Sequence, residues 1–230
     1  MINTSTPPKV LFSSYMCHES EPMVQEILQK WKELNPTFKV KYFSDEDVKH
    51  FFEKSDFYSV YNGMKNGVAI ADFFRICYIY KYGGYWFDLD LVPKKVEDKI
   101  PIEGNVHLFD LGFGNISYMF IGGASCQLLF KKIIEIVSQN IILQKKKKTQ
   151  SVIDITGPRV IQNLILCKEM GLINKDGNFK GTHKAKIFLK DTKCEFVYKF
   201  INLKNEKLDT YVKLHKKYKN GIGFDSINKI

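Results

Sequence analysis

AIADFFRICYIYKYGGYWFDLDLVP, residues 69–93, changes its hydrophobic period part-way through. Up to Tyr82 it is mostly apolar, and Val68, just before it, falls at helical spacings with Ile70, Phe73, Phe74, Cys77 and Tyr80, which predicts a well-buried helix. Asp72 and Arg75 are three residues apart and share one face of it. Gly83 and Gly84 suit the C-terminus of that helix, where a positive φ carries no Cβ penalty. From Tyr85 the period falls to two. Trp86, Asp88 and Asp90 point one way and Tyr85, Phe87, Leu89 and Leu91 the other, until Pro93 ends the ladder. A helix buried on most sides that feeds a strand apolar on most sides belongs in an α/β fold.

The upstream sequence extends the pattern. KVLFSSY (9–15) is a short strand rich in apolar and aromatic residues after Pro7-Pro8. Ser20 is placed as a helix N-cap with Pro22 in the first turn. Met23, Ile27, Trp31 and Leu34 continue at helical spacing until Asn35-Pro36. FKVKYF (38–43) alternates as a strand, and SDEDVKHFFEK opens a helix with an acidic first turn. Strand–helix–strand is the start of a doubly wound sheet, whose ligands bind beyond the carboxyl ends of the strands. Ser13, Ser14 and Tyr15 fall at such an end.

Asp88 and Asp90 are the chemical anomaly. Carboxylates two apart on a strand project in parallel, roughly 6 to 7 Å apart. Two like charges in apolar surroundings need compensation, by a cation, by lysines or by proton uptake. No histidine or cysteine lies nearby in sequence, so an oxygen-rich site for Mg²⁺ or Mn²⁺ fits better than structural zinc. The competing reading is a solvated edge strand, against which the flanking residues are too apolar. For Asp72 and Arg75 the competing reading is an intrahelical ion pair. On so apolar a helix a polar pocket beside the metal is the better expectation.

Composition narrows the class. The 230 residues suit one domain, and an apolar fraction of 44% with 18 Phe and 12 Tyr excludes a disordered chain. QLLFKKIIEIVSQNIILQ (127–144) is the longest apolar stretch, and lysines and a glutamate interrupt it, so no membrane span is expected. The first residues lack the pattern of a signal peptide. Five scattered cysteines without a CxxC favour free thiols in a reducing cytosol. The formal charge of +10 favours anionic partners, yet of 35 basic residues only Arg75 and Arg159 are arginines. A planar fork at those two positions has no lysine equivalent.

Taken together, Asp72, Arg75, Gly83, Gly84, Tyr85, Asp88 and Asp90 resemble, in order and spacing, the block of glycosyltransferases with a DXD sugar-binding region. This is glycosyltransferase family thirty-two, with its yeast Och1-like mannosyltransferases and inositolphosphoceramide mannosyltransferases, and the clostridial glucosylating toxins carry a related block. PPKVLFSSYM resembles the family's opening strand, although Leu11-Phe12-Ser13-Ser14-Tyr15 departs from the usual Ile-His-x-x-Trp, and Ala71 stands where many members have serine. The resemblance implies a GT-A fold, a single αβα sandwich around a mainly parallel sheet, over residues 1–230. Residues 7–125 would form the nucleotide-sugar and metal half, and 126–230 the acceptor side and a C-terminal closing segment. It implies a nucleotide-sugar donor, UDP-linked in preference to GDP-linked, a glycan or glycoprotein acceptor, and Mn²⁺ or Mg²⁺. Asp90 would hold the cation directly, with Asp88 working through water or the ribose. Phe12, Ser13, Ser14, Tyr15, Asp72, Arg75, Gly84, Tyr85 and Asp88 would line the donor site. Thr156, Gly157 and Arg159 match segments beside the donor or acceptor pocket, and His215 is placed as a metal ligand. Asp110 is the candidate acceptor-side carboxylate, with turn chemistry as the rival explanation.

Two rivals frame that reading. A sugar nucleotidyltransferase also uses paired aspartates and Mg²⁺, but SSYMCHES lacks the glycine-rich phosphate loop expected after its first strand. A nucleic-acid- or glycan-binding module would account for the basic charge but not for two acids on a buried strand, and no nucleic-acid motif is present. The expected setting is cytoplasmic, as for a microbial or large-DNA-virus enzyme.

Overall fold

The computed structural model describes residues 6–15, 19–89, 106–110, 116–144, 152–165, 183–189 and 192–201. Among them, strands β1 (Val10–Ser14), β2 (Lys39–Phe43), β3 (Gly84–Phe87), β4 (Val106–Asp110), β5 (Ile116–Gly123), β6 (His183–Leu189) and β7 (Thr192–Ile201) form one sheet in the order β2-β1-β3-β5-β4-β7-β6. β1 pairs in parallel with β2 and β3, β4 pairs in parallel with β7, and β5 and β6 run against their neighbours. Five strands therefore share one direction. The fold is a mixed α/β arrangement around one mainly parallel sheet.

Helices cover both faces. On one, α1 (Pro22–Leu34) packs Val24, Ile27, Leu28 and Trp31 on Leu11, Tyr85, Phe87, Leu89 and Phe120. On the other, α4 (Gly67–Tyr82) carries Phe73, Phe74, Cys77 and Tyr78 onto Phe12, Trp86 and Ile121. α2 (Asp45–Glu53), α3 (Tyr58–Tyr61), α5 (Leu128–Gln144), α6 (Val152–Ile155) and α7 (Pro158–Ile165) add Val48, Phe52, Val60, Leu129, Ile133, Ile155 and Ile161 to that layer. Tyr85 and Phe87 face one layer and Trp86 the other, as period two requires.

The boundaries follow local chemistry. Ser44 caps α2 in a reciprocal box, its Oγ accepting from the Asp47 amide while Asp47 Oδ2 accepts from the Ser44 amide at 2.9 Å. Asn66 caps α4, its Oδ1 accepting from the amides of Val68 (2.9 Å) and Ala69 (3.2 Å). α1 differs from expectation. Its N-cap is Glu21, with no side-chain hydrogen bond, rather than Ser20. Pro22 occupies the first turn, where its fixed φ starts a helix and its missing N–H needs no cap.

The turn from α4 to β3 needs its glycines. Gly83 and Gly84 have φ of +72° and +114°, and a Cβ on Gly84 would lie 2.9 Å from the Val10 carbonyl oxygen. β3 is an interior strand between β1 and β5, not a solvated edge. It stops at Phe87, short of the expected ladder to Leu91. The Asp88 amide still donates to the Met119 carbonyl at 2.7 Å, so the aspartate sits where the strand lets go of the sheet.

β5 is irregular at the same level. Leu108 of β4 pairs with Ile121, but Phe109 pairs with Ser117, so residues 118–120 have no counterpart on β4. Such a bulge bends a strand and re-aims its side chains.

Candidate functional site

Arg75 is the centre of a polar cluster inside the apolar layer. Asp72 and Arg75 are each 6% exposed, where an unpaired charge would be prohibitive. Arg75 Nη2 lies 3.2 Å from Asp72 Oδ1, and Nη1 lies 3.1 Å from Asp88 Oδ1. Nε donates to the Ala71 carbonyl at 3.2 Å and Nη1 to the Tyr118 carbonyl at 2.8 Å. The guanidinium stacks over the Trp86 ring at 4.3 Å and has Tyr118 on another side at 5.8 Å. Only arginine offers so many planar donors. The i,i+3 spacing on α4 and the period-two strand meet here, joining Asp72 to Asp88 through one cation.

Trp86 has a polar task as well as a packing one. Its Nε1 donates to Asp88 Oδ1 at 2.7 Å, fixing that carboxylate on the α4 side of the sheet. Asp88 keeps its side chain 29% exposed, and its Oδ2 has no partner among the described residues. A partly exposed carboxylate with one committed oxygen and one without a partner among the described residues suits a group that shares an external cation. Asp90, the other half of the pair, lies outside the described residues, as does His215. Among the described residues no group of three or more His, Cys, Asp or Glu is placed to hold a metal.

Asp72 is held from its other side by Thr156, which precedes α7. The Thr156 hydroxyl lies 3.4 Å from Asp72 Oδ2 and 3.2 Å from the Val152 carbonyl. Burial pushes the Asp72 carboxyl up to about 6, with Arg75 opposing the rise, the Asp88 charge adding to it and Thr156 opposing it. Burial also drives the Tyr118 phenol well above its ordinary value, and the Asp72 charge adds to this.

The other candidates scatter more widely. Phe12 is fully buried, its ring 4.3 Å from Tyr78, and works as core. Ser13 is buried with its Oγ unbonded among the described residues, and Ser14 is half-buried at the end of β1. Tyr15 follows, its carbonyl accepting from the Tyr42 hydroxyl at 3.2 Å. Gly84 and Tyr85 are buried structural residues of β3. Gly157 is buried in a tight turn, where a Cβ would lie 2.7 Å from the Ile153 Cα. Arg159 points outward to Asp154, with Nη1 to Oδ1 at 2.6 Å. Asp110 closes β4 opposite Ile116, a strand-end position rather than a free loop. Thr156, placed beside the donor or acceptor pocket from sequence, stands against Asp72.

The family model described as "Glycosyltransferase sugar-binding region containing DXD motif" matches residues 22–107, which hold Asp72, Arg75 and Asp88. That match covers less than half of the chain and supports a transferase enzyme acting on a sugar. A solved structure, a PaToxG glycosyltransferase, is similar with a TM-score of 0.48 and 11% identity over 70% of each chain. No curated protein gives a significant match. No helix among the described residues is long and apolar enough to cross a membrane.

Proposed function

We propose that the enzyme moves a hexose or deoxyhexose from a nucleotide sugar, UDP-linked in preference to GDP-linked, to a glycan or glycoprotein acceptor. One observation carries the reading: Arg75 binds Asp72 and Asp88 at once, so the helix pair and the first DXD acid form a single cluster at the end of β3. Asp72 accepts hydrogen bonds from donor-sugar hydroxyls, and Arg75 holds its carboxylate in place. Trp86 and Arg75 fix one oxygen of Asp88 and leave the other for a divalent cation, Mn²⁺ or Mg²⁺, with Asp90 and His215 as sequence-based partners. A cation so held would neutralise charge developing on the departing nucleoside diphosphate. The end of β1, from Ser13 to Tyr15, is the place for the nucleoside. Asp110 is proposed on the acceptor side, together with Gly157 and Arg159. The motif order supports membership of family thirty-two, and the cysteine usage supports a cytoplasmic setting.

Hydrolysis of UDP-glucose, UDP-galactose, UDP-N-acetylglucosamine and GDP-mannose with Mn²⁺ tests this. At least one donor turns over, EDTA stops it, and Asp88→Asn lowers it about a hundredfold or more, as expected for charge stabilisation confined to the transition state. Failure of all four donors to bind or turn over with either metal would overturn the proposal.

A further inference from the structure

We propose that Tyr118 is a donor-reading residue: its hydroxyl donates to a sugar hydroxyl that itself donates to Asp72. The proposal rests on the glycosyltransferase function above and adds a residue to its donor site. Tyr118 is 2% exposed, and its hydroxyl has no hydrogen-bond partner among the described residues. A buried phenol left unbonded is costly, and proteins rarely retain one without a use.

Its position points to the use. Tyr118 belongs to the stretch of β5 that has no counterpart on β4, and its carbonyl accepts from Arg75. The Arg75 guanidinium lies 5.8 Å from its ring, and the Asp72 and Arg75 charges both act on its phenol. The bulge thus gives Tyr118 to the Asp72–Arg75–Asp88 cluster rather than to the β4 ladder. Donor and acceptor roles are complementary. A carboxylate only accepts and Arg75 only donates, whereas a phenol can donate to the oxygen of a hydroxyl whose own proton goes to Asp72. A sugar hydroxyl satisfies both protein groups, and a deoxy position satisfies neither.

Tyr118→Phe removes only the hydroxyl. Isothermal titration with Mn²⁺ compares UDP-glucose, UDP-galactose and GDP-mannose with UDP and GDP alone. For the donor that the wild type binds more tightly than its bare diphosphate, Y118F weakens binding about tenfold, the order expected for one lost hydrogen bond that leaves its partner unpaired. Affinity for the bare diphosphate stays unchanged, and the melting temperature of the ligand-free protein holds or rises. Equal donor affinity in both proteins would overturn the proposal, as would an equal loss for donor and bare diphosphate. A marked fall in melting temperature, or an insoluble variant, would also overturn it, since the hydroxyl would then have a partner within the protein. A wild type that binds no nucleotide sugar would remove the transferase reading along with this one, and that outcome is seen without the variant.

Discussion

A guanidinium sealed between two carboxylates, an indole and two carbonyls cannot be exchanged for an ammonium without loss. Arg75→Lys keeps the charge but not the fork, so it is expected to lower stability by about 1–3 kcal/mol. Urea denaturation measures this, and donor turnover should fall at least tenfold. Asp72 offers a pH test. Its folded value, about 6, lies above the ordinary 3.8, so the folded chain holds this proton more tightly than the unfolded chain. The ionised carboxyl therefore costs stability increasingly as pH rises from about 4 to 6, by up to about 3 kcal/mol at completion. In metal-free buffer, wild-type stability relative to Asp72→Asn should decline over that interval and level off above it. A constant difference would show that the carboxyl is not raised. At this scale Asp72, Arg75 and Asp88 were legible because helical and strand periods put them on inward faces. Thr156 against Asp72 and Tyr118 against Arg75 were not, because those contacts join residues 84 and 43 positions apart. No local period reports such a meeting.

Among the elements, α4 was readable almost to its ends, since a long apolar run closed by two glycines has few alternatives. Its start depends on Asn66. Replacing Asn66 with alanine strips two amides of their acceptor and should cost about 1 kcal/mol in chemical denaturation. At the other end Gly84→Ala meets both a positive φ and the Val10 carbonyl, so a loss of about 2–3 kcal/mol is expected by the same measurement. What the sequence did not disclose is the early end of β3 and the irregularity in β5. Period two describes side-chain direction, not which strand supplies the next hydrogen bond. The chain alternates through Leu89 even though the described ladder of β3 ends at Phe87.

For the whole molecule, alternating elements announced an α/β sheet with helices on both faces, and the parallel start β2-β1-β3 follows from it. The reversal of β5 needed pairing partners far along the chain, which only the structure supplies. The cluster draws on α4, the end of β3, β5 and the turn before α7, so a donor bound there, as proposed, would link all four. UDP with Mn²⁺ should raise the melting temperature in a concentration-dependent way, more than either alone.

Asp72 and Arg75 lie in the middle turns of α4, away from its fraying ends and packed beneath the sheet layer. Binding residues are often mounted on mobile loops, whereas this pair is built into the buried interior of a long helix, which is expected to open last. Amide hydrogens around residues 72–79 should therefore exchange with deuterium only when the entire domain opens. The enzyme's ability to grip its substrate would then vanish on warming in a single step with the fold, with no earlier phase of partial disarming.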